Sequence, residues 1–189
     1  YGNRVDRFLA GVAYLDGQRP SAIFSRGYYT RAVIAAWDWR NGQLTQRWAL
    51  DSNNSSALFG QGNHNLSIAD VDNDGRQEII FGAATVNDNG TLMYASGLGH
   101  GDALHVGDFD TSRSGLEIWG IHESSSQPGA DLRSASNGAR IFATPNNNGV
   151  EGPGRGVAGD IWSGNAGAEY WGAGPNMGNL RNASGSNIG

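Results

Sequence analysis

The sequence predicts an all-β fold, a β-propeller of about four blades with Ca-binding loops. An acidic loop that runs into a β-forming segment occurs three times in the chain, and an Asn-Gly turn between β-forming flanks also occurs three times. Thirty glycines and only 16% charged residues indicate many tight turns between short strands rather than long helices.

The acidic loop is the feature that predicts metal binding. In its clearest copy, Asp70, Asp72 and Asp74 alternate with other residues, and Glu78 closes the loop before a run of β-formers. Carboxylates in this pattern place several oxygens around one point, which suits a hard cation such as Ca²⁺. The predicted metal ligands are the acidic residues of all three copies: Asp70, Asp72, Asp74 and Glu78; Asp108, Asp110 and Glu117; Asp160 and Glu169.

Two other interpretations of this loop exist. An EF-hand closes with Glu at the twelfth loop position between two helices, whereas Glu78 is the ninth residue and Ile79, Ile80 and Phe81 are β-formers. A solvated Asp/Gly turn that binds nothing is the second alternative. Three copies in one chain favour the metal site.

The spacing of the motifs predicts the propeller units. The loops begin at Asp70, Asp108 and Asp160, which gives separations of 38 and 52 residues, near the blade period of about 40–50. Each unit is predicted to run strand, acidic loop, strand, linker, strand, Asn-Gly turn, strand. The predicted blades cover residues 1–58, 59–98, 99–150 and 151–189, with the loop around Asp16 reduced to one acidic residue and the fourth blade incomplete.

The three Asn-Gly turns are predicted to be two-residue hairpins. They are Asn41-Gly42, Asn89-Gly90 and Asn137-Gly138. Both residue types tolerate the positive φ that such turns require.

Charge and composition exclude some classes of partner. The net charge is −5, the pI is near 5.2 and every one of the 13 basic residues is arginine, so general nucleic-acid binding is not expected. No apolar run approaches the ~18–20 residues needed to cross a bilayer, and no signal segment precedes the first strand. Because Tyr1 opens the chain without Met, we expect a mature, trimmed or excised chain. The absence of cysteine leaves the redox compartment open, and Ca²⁺ loops favour a secreted, extracellular protein.

Three glycine-flanked polar segments contain the candidate site residues. They lie at 62–65, 99–105 and 154–156, each before the strand that leads into an acidic loop, so a propeller would bring them near its axis. His64 and His100 are the candidates for metal or substrate contact, because neighbouring glycines allow a ligand to approach closely. The alternative is that His64, His100 and His105 only bond neighbouring blades. The predicted substrate-binding residues are Asn63, Asn65 and His105.

Arg155 is the candidate for binding an anion. It lies between Gly154 and Gly156, and a planar guanidinium can hold a carboxylate or phosphate through two hydrogen bonds. A salt bridge to a nearby Asp is the alternative. The chain has no Gly-x-Ser-x-Gly elbow and no cysteine nucleophile, while a pair of glycosidase-type carboxylates stays open.

On these segments the chain resembles polysaccharide lyase family 11, the rhamnogalacturonan lyases. The resemblance lies in five stretches, at residues 6–17, 26–39, 60–72, 97–110 and 154–156. It implies an eight-bladed propeller with several Ca²⁺ ions, of which this chain would be about half. It also implies that His64 and His100 line the catalytic cleft near a Ca²⁺ ion and that Arg155 matches the family's essential arginine. One departure is Trp162, which stands where the third loop should carry a second Asp.

The implied reaction is β-elimination at the rhamnose-to-galacturonate bond of rhamnogalacturonan I, a pectic polysaccharide. Proton removal builds charge on the uronate carboxylate, which Ca²⁺ and Arg155 would stabilise. Because a guanidinium stays protonated, Arg155 is assigned to the carboxylate and not to proton removal. The alternative function is a non-catalytic, Ca-stabilised propeller module that binds acidic polysaccharide or a protein partner. Self-association or further chain would close the ring.

Overall fold

The structure is a computed structural model that describes residues 7–145, 152–174 and 176–189. The chain forms two compact units that divide between His100 and Gly101. In the described residues the regular structure is β-strand, apart from one 3-10 helix at Ser56–Leu58. The all-β prediction is therefore confirmed. None of the helical structure described is long or apolar enough to cross a membrane.

The first unit contains two four-stranded antiparallel sheets, each formed by consecutive strands. The strands of its first sheet are β1 (Phe8–Ala13), β2 (Ser21–Arg26), β3 (Val33–Arg40) and β4 (Gln43–Asp51). Those of its second sheet are β5 (Ser67–Ala69), β6 (Glu78–Phe81), β7 (Ala84–Val86) and β8 (Leu92–Ala95).

The second unit contains one sheet of four strands and one of two. The larger sheet consists of β9 (Gly101–Gly107), β10 (Glu117–His122), β11 (Ala130–Ser134) and β12 (Arg140–Ala143). The smaller consists of β13 (Gly156–Gly159) and β14 (Glu169–Gly172). Beyond it, an isolated bridge joins Tyr170 to Arg181.

The order of strands and loops follows the predicted repeat unit. In all four sheets, aspartates lie in the loop between the first and second strands. In the last three sheets, the closing glutamate is the first residue of the second strand. Each sheet falls within one of the four predicted blade ranges. The blade assignment and the propeller itself stay predictions.

Alternation along the strands explains the core of the first unit. On β2 every second residue is buried, including Ile23, and Ile34 is buried on β3. These side chains pack with Ile79, Phe81 and Val86 of the second sheet in one apolar cluster. Burial of such side chains contributes roughly 1.5–3 kcal/mol each, so the two sheets of this unit stabilise each other.

The outer face of the first sheet is also apolar, but it is exposed. Phe8 and Val12 on β1 have exposed fractions of 66% and 60%, and Phe24 on β2 has 52%. Phe24 pairs with Ala10, which lies between Phe8 and Val12 on the same face of β1. Apolar side chains therefore cover both faces of this sheet.

Aromatic packing forms the core of the second unit. Trp119 on β10 and Tyr170 on β14 are fully buried, with ring centroids 5.3 Å apart. Phe142 on β12 packs at 5.7 Å from Trp119 and 5.8 Å from Tyr170. The rings thus connect the larger sheet to the smaller one.

Only one of the three Asn-Gly turns that were predicted as hairpins has a two-residue connection. Asn41 and Gly42 adopt φ values of 51° and 77° and join β3 directly to β4. At Asn89-Gly90 and Asn137-Gly138 only the glycine has positive φ, and five residues separate the flanking strands. The prediction of two-residue turns there is wrong, because those strands end earlier and the dipeptide closes a longer loop.

Candidate functional site

Four rings of the first unit form an aromatic cluster: those of Tyr28, Tyr29, His64 and His100. The ring centroids of His64 and His100 are 4.9 Å apart, and Tyr29 packs on His100 at 4.0 Å. Tyr28 contacts both histidines, at 5.0 Å and 4.9 Å. The structure therefore brings the two predicted histidines together.

Gly62 positions this cluster through its backbone. Its N–H donates to the Tyr28 carbonyl at 3.2 Å, and its carbonyl accepts a hydrogen bond from His100 Nδ1 at 2.8 Å. A Cβ atom at Gly62 would lie 2.7 Å from both Tyr28 Cα and Phe81 Cε1. Only glycine allows the chain segments to approach this closely.

The bond to Gly62 also fixes the state of the His100 ring. A carbonyl oxygen can only accept, so Nδ1 carries a proton, and in the neutral form of the ring the lone pair lies on Nε2. His100 is 6% exposed. Its ring is therefore held in the tautomer that can bind a metal or accept a proton through Nε2.

The three predicted substrate-binding residues lie in different settings. Asn63 is buried, and its Oδ1 accepts a hydrogen bond from Asn65 N at 2.9 Å, so it shapes the loop beside His64. Asn65 is exposed. His105, in the second unit, donates from Nε2 to the Gly156 carbonyl at 3.0 Å and joins β9 to β13. Their substrate contacts stay predictions.

Arg155 is an exposed side chain at the start of β13. Its Nη1 donates to the Gly154 carbonyl at 2.6 Å, and its backbone carbonyl accepts from Ala173 N at 2.9 Å. In the part of the chain that the structure describes, Arg155 makes no ion pair within 4.0 Å. The salt-bridge alternative is thus not seen there, and the role of Arg155 in binding an anion stays a prediction.

The acidic loop at 70–78 brings three of its four predicted ligands together. One carboxylate oxygen each of Asp70, Asp72 and Glu78 lies within 4.8 Å of the others. Asp70 Oδ1 and Glu78 Oε1 are buried and accept no hydrogen bond. Because buried polar atoms normally have partners, these oxygens fit a bound cation. Asp74 instead accepts from the backbone of Arg76 at 2.8 Å.

The pKa of Glu78 reflects its burial first and the neighbouring carboxylates second. Burial raises the pKa of Glu78 to about 7, and the charges of Asp72, Asp74 and Asp70 add to the effect, against a hydrogen bond from Val71 N. A cation among these oxygens would remove the repulsion.

The equivalent loop of the first sheet is closed by an ion pair. Asp16 accepts bonds from the backbone of Gln18 and Arg19 and pairs with the Arg19 side chain at 2.9 Å. The backbone N–H of Arg19 contributes most to lowering the pKa of Asp16, followed by that of Gln18. The single carboxylate of this loop thus has a partner from the chain itself.

In the loop at 108–117, an arginine side chain pairs with one of the aspartates. Asp110 Oδ2 pairs with Arg113 Nε at 2.8 Å, and its Oδ1 accepts from the Ser112 hydroxyl at 2.6 Å. Glu117 is buried, whereas Asp108 is exposed. Unlike the loop at 70–78, Asp108, Asp110 and Glu117 do not meet as a group of three within 4.8 Å in the described structure. Their metal assignment stays a prediction.

A buried charge network in the second unit was not predicted. Asp131 Oδ1 lies 2.7 Å from His122 Nε2 and 2.7 Å from Arg133 Nη1, and all three residues are at most 2% exposed. They meet across β10 and β11, where Gly120 pairs with Asp131. A Cβ at Gly120 would lie 2.7 Å from Arg133 Nη1, so the glycine makes room for the network. Gly120, a glycine between two β-forming residues, is the sequence feature that could have indicated this network.

The two tyrosines of the aromatic cluster are not among the predicted site residues. Tyr28 is 2% exposed, which fits the core, while Tyr29 is half-buried against His100. The Gly27-Tyr28-Tyr29 sequence after β2 was the available signal, because Gly27 has a φ of 83° and turns the chain there.

The fold is all-β, and the candidate site residues are those of the acidic loops, an exposed arginine and a histidine pair. A family model for the C-terminal domain of rhamnogalacturonan lyase family 11 matches residues 1–189. The chain belongs to this family.

Curated relatives agree with the family. The chain is 53% identical over 178 residues to the rhamnogalacturonan exolyase YesX of Bacillus subtilis (strain 168), covering 93% of this chain and 29% of YesX. It is 50% identical over 192 residues to the rhamnogalacturonan endolyase YesW of the same strain, covering 100% of this chain and 30% of YesW. The chain therefore spans under a third of the length of these relatives.

Solved structures give the same result. The crystal structures of the exotype rhamnogalacturonan lyase YesX and of YesW each match the whole chain with a TM-score of 0.93 at 50% identity, and this chain covers 32% of each. A Bacillus licheniformis rhamnogalacturonan lyase matches with the same values.

Proposed function

We propose that this chain is part of a rhamnogalacturonan lyase, in which it binds the galacturonate carboxylate next to the bond that is cleaved. The observation that carries the proposal is Arg155, an exposed guanidinium without an ion pair in the described residues of a chain that belongs to this lyase family. The reaction would be β-elimination at the rhamnose-galacturonate bond of rhamnogalacturonan I.

The proposed chemistry assigns the Arg155 side chain to the uronate carboxylate. Loss of the C5 proton leaves an electron pair that forms the C4–C5 double bond, while the C4–O4 bond breaks and the rhamnose oxygen takes a proton. Negative charge grows on the carboxylate during this step, so two N–H groups from a guanidinium stabilise the transition state more than the ground state. Proton removal is not assigned to Arg155, because a guanidinium stays protonated at neutral pH.

The histidine pair is proposed to contact substrate or metal through its ring nitrogens. His100 has its proton fixed on Nδ1 by Gly62, so Nε2 can accept, and the ring of His64 lies beside it. Packing by Tyr28 and Tyr29 limits the rotation of both rings. Such preorganisation lowers the cost of binding.

Ca²⁺ is the cofactor that the residues fit best. Asp70, Asp72 and Glu78 would hold it in the first unit, because two of their buried oxygens have no hydrogen-bond donor. Bound at a uronate, Ca²⁺ supplies positive charge that neutralises the carboxylate. We further propose a secreted protein, because extracellular Ca²⁺ fills even weak sites of this type.

We also propose that the sheets are blades of a partial propeller. The apolar outer face of the first sheet, with Phe8, Val12 and Phe24 exposed, supports this, since another sheet would normally cover such a face. The relatives are more than three times as long as the matched region, which leaves ample chain for further blades.

The first experiment follows the ultraviolet absorbance of rhamnogalacturonan I incubated with the 189-residue chain, with and without chelator. A conjugated unsaturated uronate forms only by elimination, so a chelator-sensitive rise is expected. Arg155→Ala should reduce the initial rate by about 100-fold or more. Arg140→Ala removes another exposed arginine of the same unit and should leave the rate unchanged. Full activity of Arg155→Ala would refute its role.

One observation favours a second candidate function. The chain covers only about 30% of its relatives, so it fits a Ca-stabilised module that binds acidic polysaccharide or a protein partner without cleaving. Retention of the polymer without an absorbance rise would support this function. Product formation would exclude it.

A further inference from the structure

The loop between β13 and β14, residues 160–168, resembles the loop at 70–78 in how its closing glutamate is used. Glu169 Oε2 accepts hydrogen bonds from the backbone N–H groups of Ile161 and Trp162, at 2.9 and 3.0 Å. Glu78 Oε2 accepts from Val71 N at 2.9 Å in the same way. One oxygen of each glutamate therefore braces the start of its loop.

The second carboxylate oxygen distinguishes the two loops. Glu78 Oε1 is buried without a hydrogen-bond donor, whereas Glu169 Oε1 accepts from the side-chain amide of Asn165 at 2.8 Å. The Asn165 backbone N–H donates to the Trp162 carbonyl at 3.1 Å, which holds this amide inside the loop. Both oxygens of Glu169 are thus satisfied by the protein.

Two other positions of this loop also differ from those of a cation site. Trp162 stands at the position of Asp72, and Asp160 is exposed. Ca²⁺ takes six to eight oxygen ligands. Both oxygens of Glu169 already accept hydrogen bonds, from three N–H groups in total. Burial raises the pKa of Glu169, but the bonds from Ile161, Asn165 and Trp162 outweigh it and leave the pKa below its usual value.

We propose that the amide of Asn165 replaces a cation in this loop, so that residues 160–169 keep their conformation without metal. The repeated acidic loop predicts Ca²⁺ at Asp160 and Glu169, and the residues present do not fit that ion. This stability of the loop does not depend on the proposed lyase activity.

Thermal unfolding of Asn165→Ala in Ca²⁺ and in chelator tests this proposal. The lost hydrogen bond to a charged group should lower Tm by roughly 3 to 10 °C, equally in both conditions. The matched variant Asp72→Asn, in the loop at 70–78, should lower Tm in Ca²⁺ but not in chelator. No loss of Tm in Asn165→Ala, or a loss that appears only in Ca²⁺, would overturn the proposal.

A second measurement uses the folded wild type and a surface variant. Tb³⁺ bound among the 160–169 ligands would lie next to the Trp162 indole, which is 46% exposed, and would emit on excitation of that ring. We expect Trp162→Phe to leave the sensitised Tb³⁺ emission unchanged. A marked fall in that emission would place a metal in the loop and overturn the proposal.

Discussion

At the scale of single residues, a buried glutamate has a raised pKa in one loop and a lowered pKa in another. Glu78 and Glu169 each close a loop and are each fully buried. Burial raises the pKa of Glu78 to about 7, whereas three hydrogen bonds keep the pKa of Glu169 low despite its burial. Glu169 thus has donors for both of its oxygens, whereas Glu78 has other carboxylates nearby and one buried oxygen without a donor.

Asp131 gives a prediction about pH. Burial raises the pKa of Asp131, but the charge of Arg133 and the hydrogen bond from His122 outweigh it, so the pKa lies below its usual value in the folded chain. A carboxyl group with a depressed pKa contributes stability above its unfolded value of about 3.9, and this contribution is lost as pH falls through the folded value. Asp131→Asn should therefore lower the free energy of unfolding at pH 7 by about 3–5 kcal/mol.

Denaturant unfolding at pH 7 and at pH 3 measures this effect. The difference between wild type and Asp131→Asn should shrink at the lower pH. Asp51→Asn breaks an exposed ion pair with Arg31 and should cost far less at either pH. A difference that is equal at both pH values would contradict the assignment to the charge of Asp131.

At the scale of elements, the turn of the β3–β4 hairpin requires a left-handed backbone conformation. Gly42 has a φ of 77°, and a Cβ added there would meet nothing within 4 Å. Gly42→Ala should therefore lower the free energy of unfolding by about 1 kcal/mol, entirely from the left-handed conformation. Gly159→Ala on β13 is the matched control, since Gly159 has no positive φ and its Cβ would make an ordinary 3.8 Å contact with Ile161. Equal losses for both substitutions would contradict this explanation.

The hairpins also show what the sequence could predict. Turn positions follow from local chemistry, so Asn41-Gly42, Asn89-Gly90 and Asn137-Gly138 each lie in a connection between strands. Loop length depends on where the flanking strands stop pairing, and the register shifts near Val86 and Arg133 show that this differs between sheets. The dipeptide alone therefore predicts the presence of a turn but not its type.

In the candidate site, too, some features could be predicted from the sequence and others could not. His64 and His100 were paired from their equivalent places in the repeat, and they do meet. The partner of Glu169 could not be predicted, because Asn165 becomes a cation substitute only through the fold of its loop. The contacts of Asp131 likewise depend on which residues face each other across β10 and β11. The sequence repeat therefore predicts which residues occupy equivalent positions in the sheets. It does not predict their hydrogen-bond partners, because these depend on three-dimensional packing.

At the scale of the whole molecule, the two compact units differ in their expected need for metal. The first unit contains the loop at 70–78 with its unsatisfied oxygens. In the second, Arg113 pairs with Asp110 and Asn165 bonds Glu169. Because a ligand stabilises only the state that binds it, we expect chelation to act on the first unit.

Hydrogen exchange with and without chelator tests this expectation on two equivalent strands. Exchange at Ile79 and Ile80, on the strand after the loop at 70–78, should become faster in chelator, since removing an ion present at 100 times its Kd costs about 2.7 kcal/mol. That corresponds to roughly 100-fold faster exchange where opening of this unit controls the rate. Exchange at Tyr170 and Trp171 on β14 should not change. Glu78→Gln should reproduce the chelator effect and remove any further response, whereas equal acceleration on both strands would show that metal also stabilises the second unit.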